Sequence, residues 1–528
     1  MNRAGERKTY IIGSGIAGLA GAVYLIRDGG LPGEQIGIFE ESQNYGVALD
    51  ASGGAQSGYI MRGGRMFEEH YVCTYDLLSE IPSFDNPDIS AQDDIFNFMR
   101  EASWRSMARL VDHAGKPIDV SSMGFDNRDR LALLWLILRS EDSLGVRRID
   151  DVLPPHFFTT NFWLMWCTMF SFQPWHSAAE MRRYLLRFIH LFPTIADLSC
   201  VYHTRHNQYH SIVLPLQRWL QERGVRFETE TRIIDMEFHS VSKRYHVKTL
   251  KVRRKQGESE IALDENDLVI FTNGSMTDAS TLGSITTPAV LDRGEIGGSW
   301  ALWKRLAAKQ QGFGRPEAFI GDIDKSKWLS FTVTTTLPLL RQLFEQLTNI
   351  TLGREGLITF KESNWLITLH PYYYPAYPGQ PENVVVWWGY GLNPDSEGDF
   401  VKKRMADCTG EELLRETFSH LHFDDDLDVL MQHSHAIPCM MPYITSQFMP
   451  RAKGDRPEVV PKGSVNLAFV GQFCEVPDDT VFTVEYSVRS AEMAVKSLLG
   501  SGVAIPPVYK GWRNPLVLLR ALKETLRA

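Results

Sequence analysis

The chain has 528 residues, of which 44% are hydrophobic and 23% are charged. This length suggests about two to four domains, and the composition is that of a soluble globular protein with a large buried core. The net charge of −9 argues against a nucleic-acid partner, because phosphate binding usually needs a basic face. No secretory signal is visible, and no apolar run reaches the ~20 residues that a membrane span needs.

The six cysteines are scattered and form no Cys-x-x-Cys pair. This pattern indicates neither a structural zinc site nor a thioredoxin motif, and we expect no metal. Unpaired cysteines also fit a reducing compartment, so the sequence predicts a cytoplasmic protein.

The first motif that carries chemistry follows a short apolar strand predicted at residues 9–12. Gly13-x-Gly15-x-x-Gly18 has the spacing of the dinucleotide-binding fingerprint. In that fingerprint the first glycine permits a tight turn, the second lets the backbone approach a pyrophosphate, and the third lets helix and strand pack closely. Helical periodicity over residues 16–27 places a helix N-terminus, with its free N–H groups, at the phosphates.

Two further elements belong to the same predicted site. Glu40 ends the next predicted strand, residues 36–39, and can accept the ribose hydroxyls of an adenosine, although it comes later than the usual spacing of about 20 residues. Arg62-Gly63-Gly64-Arg65 brings charge and free backbone together, so we expect it to face a phosphate or a flavin. A solvated basic turn is the alternative for this second motif.

Later segments favour FAD over NAD as the dinucleotide. A buried strand at residues 267–271 runs towards Asn273, and another at residues 466–470 ends at Gly471 before a helical segment. The chain therefore visits the nucleotide domain several times, whereas a simple dehydrogenase completes that domain in one pass. We expect Asn273 and Gly471 to lie at the cofactor.

These patterns predict an α/β fold with three parts. The parts are a Rossmann-like FAD-binding domain made of residues 1–70, 211–300 and 440–500, a mixed α+β substrate domain made of residues 71–210 and 301–439, and a helical C-terminal segment at residues 501–528.

A second constellation lies in a predicted helix over residues 178–191. His176, Glu180 and Tyr184 are four residues apart and so share one helix face. From spacing alone, this pattern is more often a capped surface helix with internal ion pairs than a catalytic site. Both interpretations stay open at this point.

Six motifs together carry a family resemblance. They are Gly13-Ser14-Gly15-Ile16-Ala17, Arg62-Gly63-Gly64-Arg65, Trp175-His176-Ser177, Asn207-Gln208-Tyr209, Trp388-Gly389-Tyr390-Gly391 and Val481-Phe482-Thr483-Val484-Glu485-Tyr486-Ser487. With them the chain resembles the oleate hydratase family, formerly called myosin-cross-reactive antigens, from about residue 10 to about residue 500. The resemblance implies a hydro-lyase that uses FAD to add water to the cis-9 double bond of a long-chain fatty acid, converting oleate to 10-hydroxystearate without net redox change.

The resemblance also assigns catalytic positions. Tyr184 matches the tyrosine that protonates the alkene, and positive charge from Arg182 or Arg183 would favour the phenolate left behind. The family's catalytic glutamate directly follows the Arg-Gly-Gly-Arg element, where this chain has Met66. A thioether cannot take a proton from water, so the group that activates water is left open.

The carboxylate of the fatty acid needs a polar anchor at one end of an apolar tunnel. By resemblance, Gln208, Thr368 and His370 match the anchoring positions, and Tyr374 would add another donor. For Thr368 and His370, an ordinary exposed strand edge is the alternative.

The last predicted helix is amphipathic, with leucines on one side and basic residues beside them. Such a helix can lie on an anionic membrane at its cytoplasmic face, or it can dock on the protein's own surface. Relatives carry several tens of residues before the glycine loop, and that segment contributes to their dimer contacts. Here the loop opens at residue 13, so we expect that a monomer is feasible, while a homodimer as in relatives stays open.

Two other functions remain compatible with the sequence. A flavin-dependent double-bond isomerase would use the same fold, cofactor and tunnel without keeping the water. A flavin-containing lipid-binding protein without turnover is the third class, and Met66 is the residue that makes it worth testing.

Overall fold

The structure, a computed structural model, describes residues 7–527. Its strands, in chain order, are β1 (Thr9–Ile12), β2 (Ile36–Phe39), β3 (Ala51–Gly54), β4 (Gly58–Met61), β5 (Leu110–Val111), β6 (Arg226–Glu228), β7 (Arg232–Val241), β8 (Arg244–Arg254), β9 (Gly257–Ala262), β10 (Leu268–Thr272), β11 (Thr281–Leu282), β12 (Trp328–Thr335), β13 (Ile358–Phe360), β14 (Ile367–Pro371), β15 (Val385–Gly391), β16 (Ser434–Met441) and β17 (Leu467–Val470).

Its α-helices are α1 (Ile16–Arg27), α2 (Val72–Leu78), α3 (Ala91–Arg100), α4 (Asn127–Leu138), α5 (Glu141–Leu144), α6 (Asn161–Phe170), α7 (Ala178–Arg187), α8 (Leu214–Glu222), α9 (Gly298–Lys309), α10 (Glu317–Ile320), α11 (Ile323–Ser326), α12 (Leu339–Thr348), α13 (Gly410–His420), α14 (Leu427–Gln432), α15 (Val484–Leu499) and α16 (Pro515–Thr525). Within residues 7–527, no helix is long and apolar enough to cross a membrane.

A parallel sheet of five strands, in the order β17-β10-β1-β2-β6, contains the strand that precedes the glycine loop. Its central strand β1 pairs with β10 on one side and β2 on the other, so that Ile11 lies between Ile270 and Ile38. All four residues of β1 and of β2 are buried, as expected for parallel strands covered on both faces. The predicted α/β class is confirmed.

A second sheet of seven strands, in the order β11-β16-β12-β15-β14-β13-β5, is antiparallel except where β5 joins β13. All eight residues of β12 are buried in it. The parallel sheet draws its strands from the three segments assigned to FAD, and four strands of the second sheet come from residues 301–439. However, β11 belongs to the second sheet although it lies inside residues 211–300, so the domain partition as drawn stays a prediction.

Local sequence determined several elements well. β1, β2 and α1 have the predicted bounds. The helix predicted to run to Leu191 instead ends at Arg187, because the next turn is a 3₁₀ helix, Ile189–Thr194, that contains Pro193. Proline lacks the N–H that a continuing α-helix needs.

Candidate active site

A cavity of about 510 Å³ opens at the carboxyl ends of the parallel strands. Its walls come from the loops that follow β1, β2, β10 and β17, and from residues around the Arg62–Arg65 turn. In open α/β sheets this crevice is the usual place for a ligand, and the volume suits a large one.

The glycine loop has the geometry that its spacing predicts. Gly13 has a φ of +100°, which favours glycine at this tight turn. A Cβ at Gly18 would lie 2.1 Å from the carbonyl oxygen of Gly13, so helix and strand could not pack as they do. A Cβ at Gly15 would meet nothing within 4 Å, and Gly15 directly precedes α1. The open space therefore lies where a pyrophosphate would meet the helix N-terminus.

Glu40 lines this cavity and ties the end of β2 to the glycine loop. One carboxylate oxygen accepts from the Ser14 N–H at 2.9 Å and the Ser14 hydroxyl at 2.7 Å. The other accepts from the Ser42 N–H at 3.0 Å and lies 2.9 Å from the Ser42 hydroxyl. Four donor groups therefore already surround the carboxylate, so a ribose hydroxyl would bind by taking the place of a serine hydroxyl.

The two arginines of the Arg-Gly-Gly-Arg turn differ in their partners. Arg62 forms an ion pair with Asp50 at 2.8 Å. Arg65 has no carboxylate partner in the described part of the chain: its guanidinium contacts the Ala48 carbonyl at 3.5 Å and lies over the Phe482 ring. Because burial removes it from water, the pKa of Arg65 falls to about 10. Both arginines line the larger cavity, and they differ in that Arg62 already has a carboxylate partner.

The glycines between these arginines make room for side chains. A Cβ at Gly63 would lie 2.8 Å from the Arg65 guanidinium, and a Cβ at Gly64 would lie 2.9 Å from the His370 ring. Each glycine therefore lets a functional side chain approach the backbone closely.

Asn273 and Gly471, predicted at the cofactor, occupy different environments. Gly471 lines the cavity with a φ of +100°. Asn273 is fully buried and is not among the lining residues; its amide donates to the Phe473 carbonyl at 3.0 Å. Asn273 thus holds the loops after β10 and β17 together instead of facing the cavity.

A second, smaller cavity of about 80 Å³ adjoins the first. Arg65 and residues 482–484 line both, so they form a shared wall. Tyr184 and Met66, which are 118 positions apart in sequence, both line the smaller cavity. The rest of its wall is mostly apolar and aromatic, including Phe170, Phe188 and Trp388.

Tyr184 lies in an aromatic shell. Its ring centroid is 4.9 Å from those of both Phe170 and Phe172, and its hydroxyl donates to the Val481 carbonyl. Burial raises the pKa of Tyr184 well above its ordinary value, and the positive charge of Arg456 opposes this only in part. The phenol is therefore protonated at neutral pH.

Arg182 and Arg183 do not supply the positive charge expected beside the Tyr184 phenolate. Arg183 is paired with Glu141 at 2.7 Å and with Glu475 at 2.6 Å. Arg182 donates to the Ile137 carbonyl at 3.2 Å. Both are thus engaged with other groups. Arg456, 272 positions away in sequence and itself paired with Glu180, is the cation whose charge lowers the pKa of Tyr184.

The other two members of the helical triplet do not reach the cavity. Glu180 is fully buried and pairs with Arg451 and Arg456, each at 2.8 Å. The His176 ring accepts from the Gln173 N–H at 2.9 Å, and burial lowers its pKa to about 3. The helix is capped and ion-paired, as one interpretation held, yet it is buried and brings Tyr184 to the cavity.

The predicted carboxylate anchors lie behind the small cavity and do not line it. The Gln208 amide donates to the Arg65 carbonyl at 3.2 Å, and the His370 ring bonds the Gly356 carbonyl at 2.7 Å. Thr368 is fully buried, with its hydroxyl 3.0 Å from that of Thr359. An exposed strand edge is thereby ruled out for Thr368 and His370. The Tyr374 hydroxyl instead donates to the Gln380 carbonyl, so the expected extra donor is engaged elsewhere.

Sequence reasoning did not single out Phe482, which stands in the wall between the cavities. Its φ of +68° is unusual for a bulky side chain. Such backbone conformations cluster at functional sites. Its place within the long Val481–Ser487 motif was the available signal.

A Rossmann-like sheet, a glycine loop and a cavity at the strand ends define an α/β protein with the fold of dinucleotide-binding proteins. The chain belongs to the MCRA family, whose family model matches residues 6–496. It is 39% identical over 526 residues to the oleate hydratase of Streptococcus pyogenes serotype M49 (strain NZ131), covering 98% of this chain and 89% of that protein. It is 34% identical over 579 residues to the linoleate hydratase of Lactiplantibacillus plantarum, covering 98% of both. The predicted family membership is confirmed.

Solved structures of flavoprotein-like fold are similar at much lower identity. Putrescine oxidase bound to putrescine aligns with a TM-score of 0.55 and 11% identity over 94% of this chain and 99% of that chain. Cyclohexylamine oxidase from Brevibacterium oxydans IH-35A aligns with a TM-score of 0.53 and 12% identity over 94% and 99%. At these identities the likeness shows the fold alone.

Proposed function

We propose that this protein hydrates the cis-9 double bond of long-chain unsaturated fatty acids, converting oleate to 10-hydroxystearate, with FAD bound and no net redox change. The observation that carries the proposal is that Tyr184 and Arg65 line the same small cavity, whose wall is mostly apolar and aromatic. This cavity adjoins the larger cavity at the glycine loop, and Arg65 lines both. The names of the two bacterial relatives, an oleate hydratase and a linoleate hydratase, support the substrate class.

The residues present fit FAD. The open space at Gly15 suits a pyrophosphate, and Glu40 suits the ribose. At the other end of the cavity, Arg65 has no carboxylate partner within residues 7–527, so an electron-rich ring system would balance its charge. With the Arg62–Arg65 turn and Gly471, these residues would hold the cofactor. When bound, FAD shapes and polarises the neighbouring cavity.

Tyr184 would act as the acid in this reaction. Its O–H would give its proton to one alkene carbon, and water would then bond to the other carbon, which has become cation-like. The substrate would replace the Val481 carbonyl as the acceptor of this proton. The ring of Phe170, which lines this cavity, would stabilise the cationic carbon as aromatic rings do other cations.

Gln208, Thr368 and His370 would anchor the fatty-acid carboxylate. Thr368 and His370 are two residues apart on β14 and so point to one face of the sheet. Gln208 bonds the backbone of Arg65, and His370 lies under Gly64. Two of the three proposed anchors thus contact the turn that carries the unpaired cation.

We infer peripheral contact with a membrane from the exposed leucines of the last helix. On α16, Leu516, Leu519, Leu522 and Leu526 are more than half exposed, and Ala521 is its buried residue. The helix packs on its own protein through another face, where Val517 and Ala521 meet the core, and leaves the leucine stripe uncovered. Basic residues flank the leucines, so α16 would rest on an anionic membrane surface of a cytoplasmic protein.

The test is incubation of the purified, FAD-loaded protein with oleate in water enriched in oxygen-18, followed by analysis of the lipid. Labelled 10-hydroxystearate is expected. A shifted double bond would indicate an isomerase, and unchanged oleate would indicate a lipid-binding protein; either result would contradict the proposal.

The Tyr184→Phe variant should lower the rate on the order of 10²–10⁴-fold, the usual contribution of a positioned acid. Tyr24→Phe is the matched control, since this buried hydroxyl also donates to a backbone carbonyl, that of Cys73, but lines neither cavity. A Tyr184→Phe variant as fast as the control would refute the assignment of the acid.

A further inference from the structure

We propose that Glu68 is the group that takes the proton from the attacking water, the task that Met66 cannot perform. This role rests on the proposed hydration. In the described part of the chain, Glu68 is the carboxylate that lines the smaller cavity together with Tyr184 and Met66.

The backbone explains why Glu68 reaches the cavity. Phe67 forms an antiparallel bridge with Tyr202, through hydrogen bonds of 2.9 Å and 2.8 Å between their backbones. In an extended segment, side chains two residues apart point to the same side. Met66 and Glu68 flank Phe67, and all three residues line the cavity, whereas Glu69 does not line it and has a side chain 64% exposed.

Met66 itself serves as apolar wall. It packs against the small cluster of Leu198, Val201 and Leu357. Val201 and Leu357 also line the cavity, so this side offers the alkene an apolar surface without a base. A carboxylate for water must therefore come from elsewhere on the wall.

Three cations or potential cations hold Glu68 as a carboxylate. Arg187 lies 2.7 Å from one oxygen; His70 Nδ1 at 2.9 Å and His190 Nε2 at 3.4 Å contact the other. Burial alone would raise the pKa of Glu68, but these neighbours outweigh it and hold the pKa well below its usual range. Glu68 is thus ionised and able to accept a proton whenever Tyr184 is able to give one.

A carboxylate of low pKa is a poor base towards neutral water, but it is sufficient here. As the C–O bond forms, the water oxygen becomes positively charged and its O–H bonds become strongly acidic. Glu68 would take one of these protons while the other stays in the alcohol. Tyr184 loses one proton to carbon and regains one afterwards, so the sum is one water added to one alkene.

The histidines provide the way back for the proton. His70 stacks on Tyr509 at 3.6 Å between ring centroids and keeps a side chain 24% exposed, while His190 is nearly buried. The proton would pass from Glu68 through these rings to solvent, and an equivalent proton would restore Tyr184.

The experiment compares hydration of oleate by the FAD-loaded wild type, Glu68→Gln and the control Glu69→Gln. We expect kcat to fall on the order of 10²–10⁴-fold in Glu68→Gln, with oleate binding and FAD content unchanged, and to stay near wild type in Glu69→Gln. A folded Glu68→Gln variant within about threefold of wild type would overturn the proposal. A wild type that makes no hydroxy acid would instead overturn the proposed function, and with it this role.

Two further variants distinguish a role of Glu68 in proton transfer from a purely structural role as the ion-pair partner of Arg187. Met66→Glu in the Glu68→Gln background places a carboxylate on the same cavity and should recover about tenfold or more of the lost rate. A folded double variant as slow as Glu68→Gln would reduce Glu68 to a structural partner of Arg187. If Glu68→Gln does not fold, Glu68→Asp decides: it keeps the charge but retracts the carboxylate, and a wild-type rate would overturn the proposal.

Discussion

Replacing Glu180 by glutamine should destabilise the protein strongly, although the side chain has no role in the proposed chemistry. Glu180 is fully buried and holds two guanidinium groups, those of Arg451 and Arg456, each at 2.8 Å. Removing one member of a buried ion pair leaves an uncompensated charge and costs about 3–5 kcal/mol. Here two arginines would lose the same partner, while Arg451 keeps Glu475 at 3.7 Å.

The pKa of Glu180 gives a second measure of the same interaction. Burial would raise it, but Arg456 and Arg451 outweigh burial and hold it at about 2. Compared with an ordinary glutamate, this depression corresponds to roughly 3 kcal/mol of stabilisation. Because the folded pKa is the lower one, this stability is present above the unfolded pKa and is lost as pH falls through the folded pKa.

The assay is urea unfolding of wild type, Glu180→Gln and Asp142→Asn at neutral pH, repeated towards pH ~3. Asp142 is the control because it pairs with Lys453 at 3.2 Å on the surface, where such a pair is worth about 0–1 kcal/mol. The gap between wild type and Glu180→Gln should narrow in acid. A gap below about 1 kcal/mol at neutral pH, or one that does not depend on pH, would refute this reasoning.

Three shorter predictions follow. Gly18→Ala should yield protein without bound flavin, because its Cβ would lie 2.1 Å from the Gly13 carbonyl; flavin absorbance checks this. Leu519→Glu should weaken sedimentation with anionic vesicles, whereas Leu138→Glu, at a leucine of α4 that is more exposed still, should not. Asp278→Asn should stabilise the FAD-free protein much more at pH ~8 than at pH ~4. Burial raises the pKa of Asp278 to about 7, so the destabilisation by this group grows as pH rises from the unfolded pKa to the folded pKa; thermal melts at both pH values check this.

The nucleotide half was largely predictable from the sequence because its determinants are local. The apolar run of β1, the glycine spacing and the periodicity of α1 lie within about twenty residues, and each has a direct conformational meaning. The prediction for Asn273 differs from the structure because being close in sequence to a loop does not fix which way a side chain points. Its amide was needed to bind the Phe473 carbonyl.

The smaller cavity was less predictable because it depends on tertiary contacts. That Arg62 is paired while Arg65 is not depends on Asp50, which comes from another loop. The cation beside Tyr184 proved to be Arg456 and not its sequence neighbours Arg182 and Arg183. Spacing along one helix cannot show which charges from distant segments will pack against it.

The segment from Arg62 to Glu68 connects the two cavities, and its backbone explains how the site accommodates Met66. Gly63 and Gly64 let the chain pass close to Arg65 and His370, and the bridge at Phe67 then fixes an extended register. Positions 66, 67 and 68 all line the smaller cavity, and positions 66 and 68 lie on one side of this register. A carboxylate at either position could therefore serve water. Position 66 is apolar in this chain. We therefore expect Glu68, which the same extended segment carries to the cavity, to supply the base for hydration.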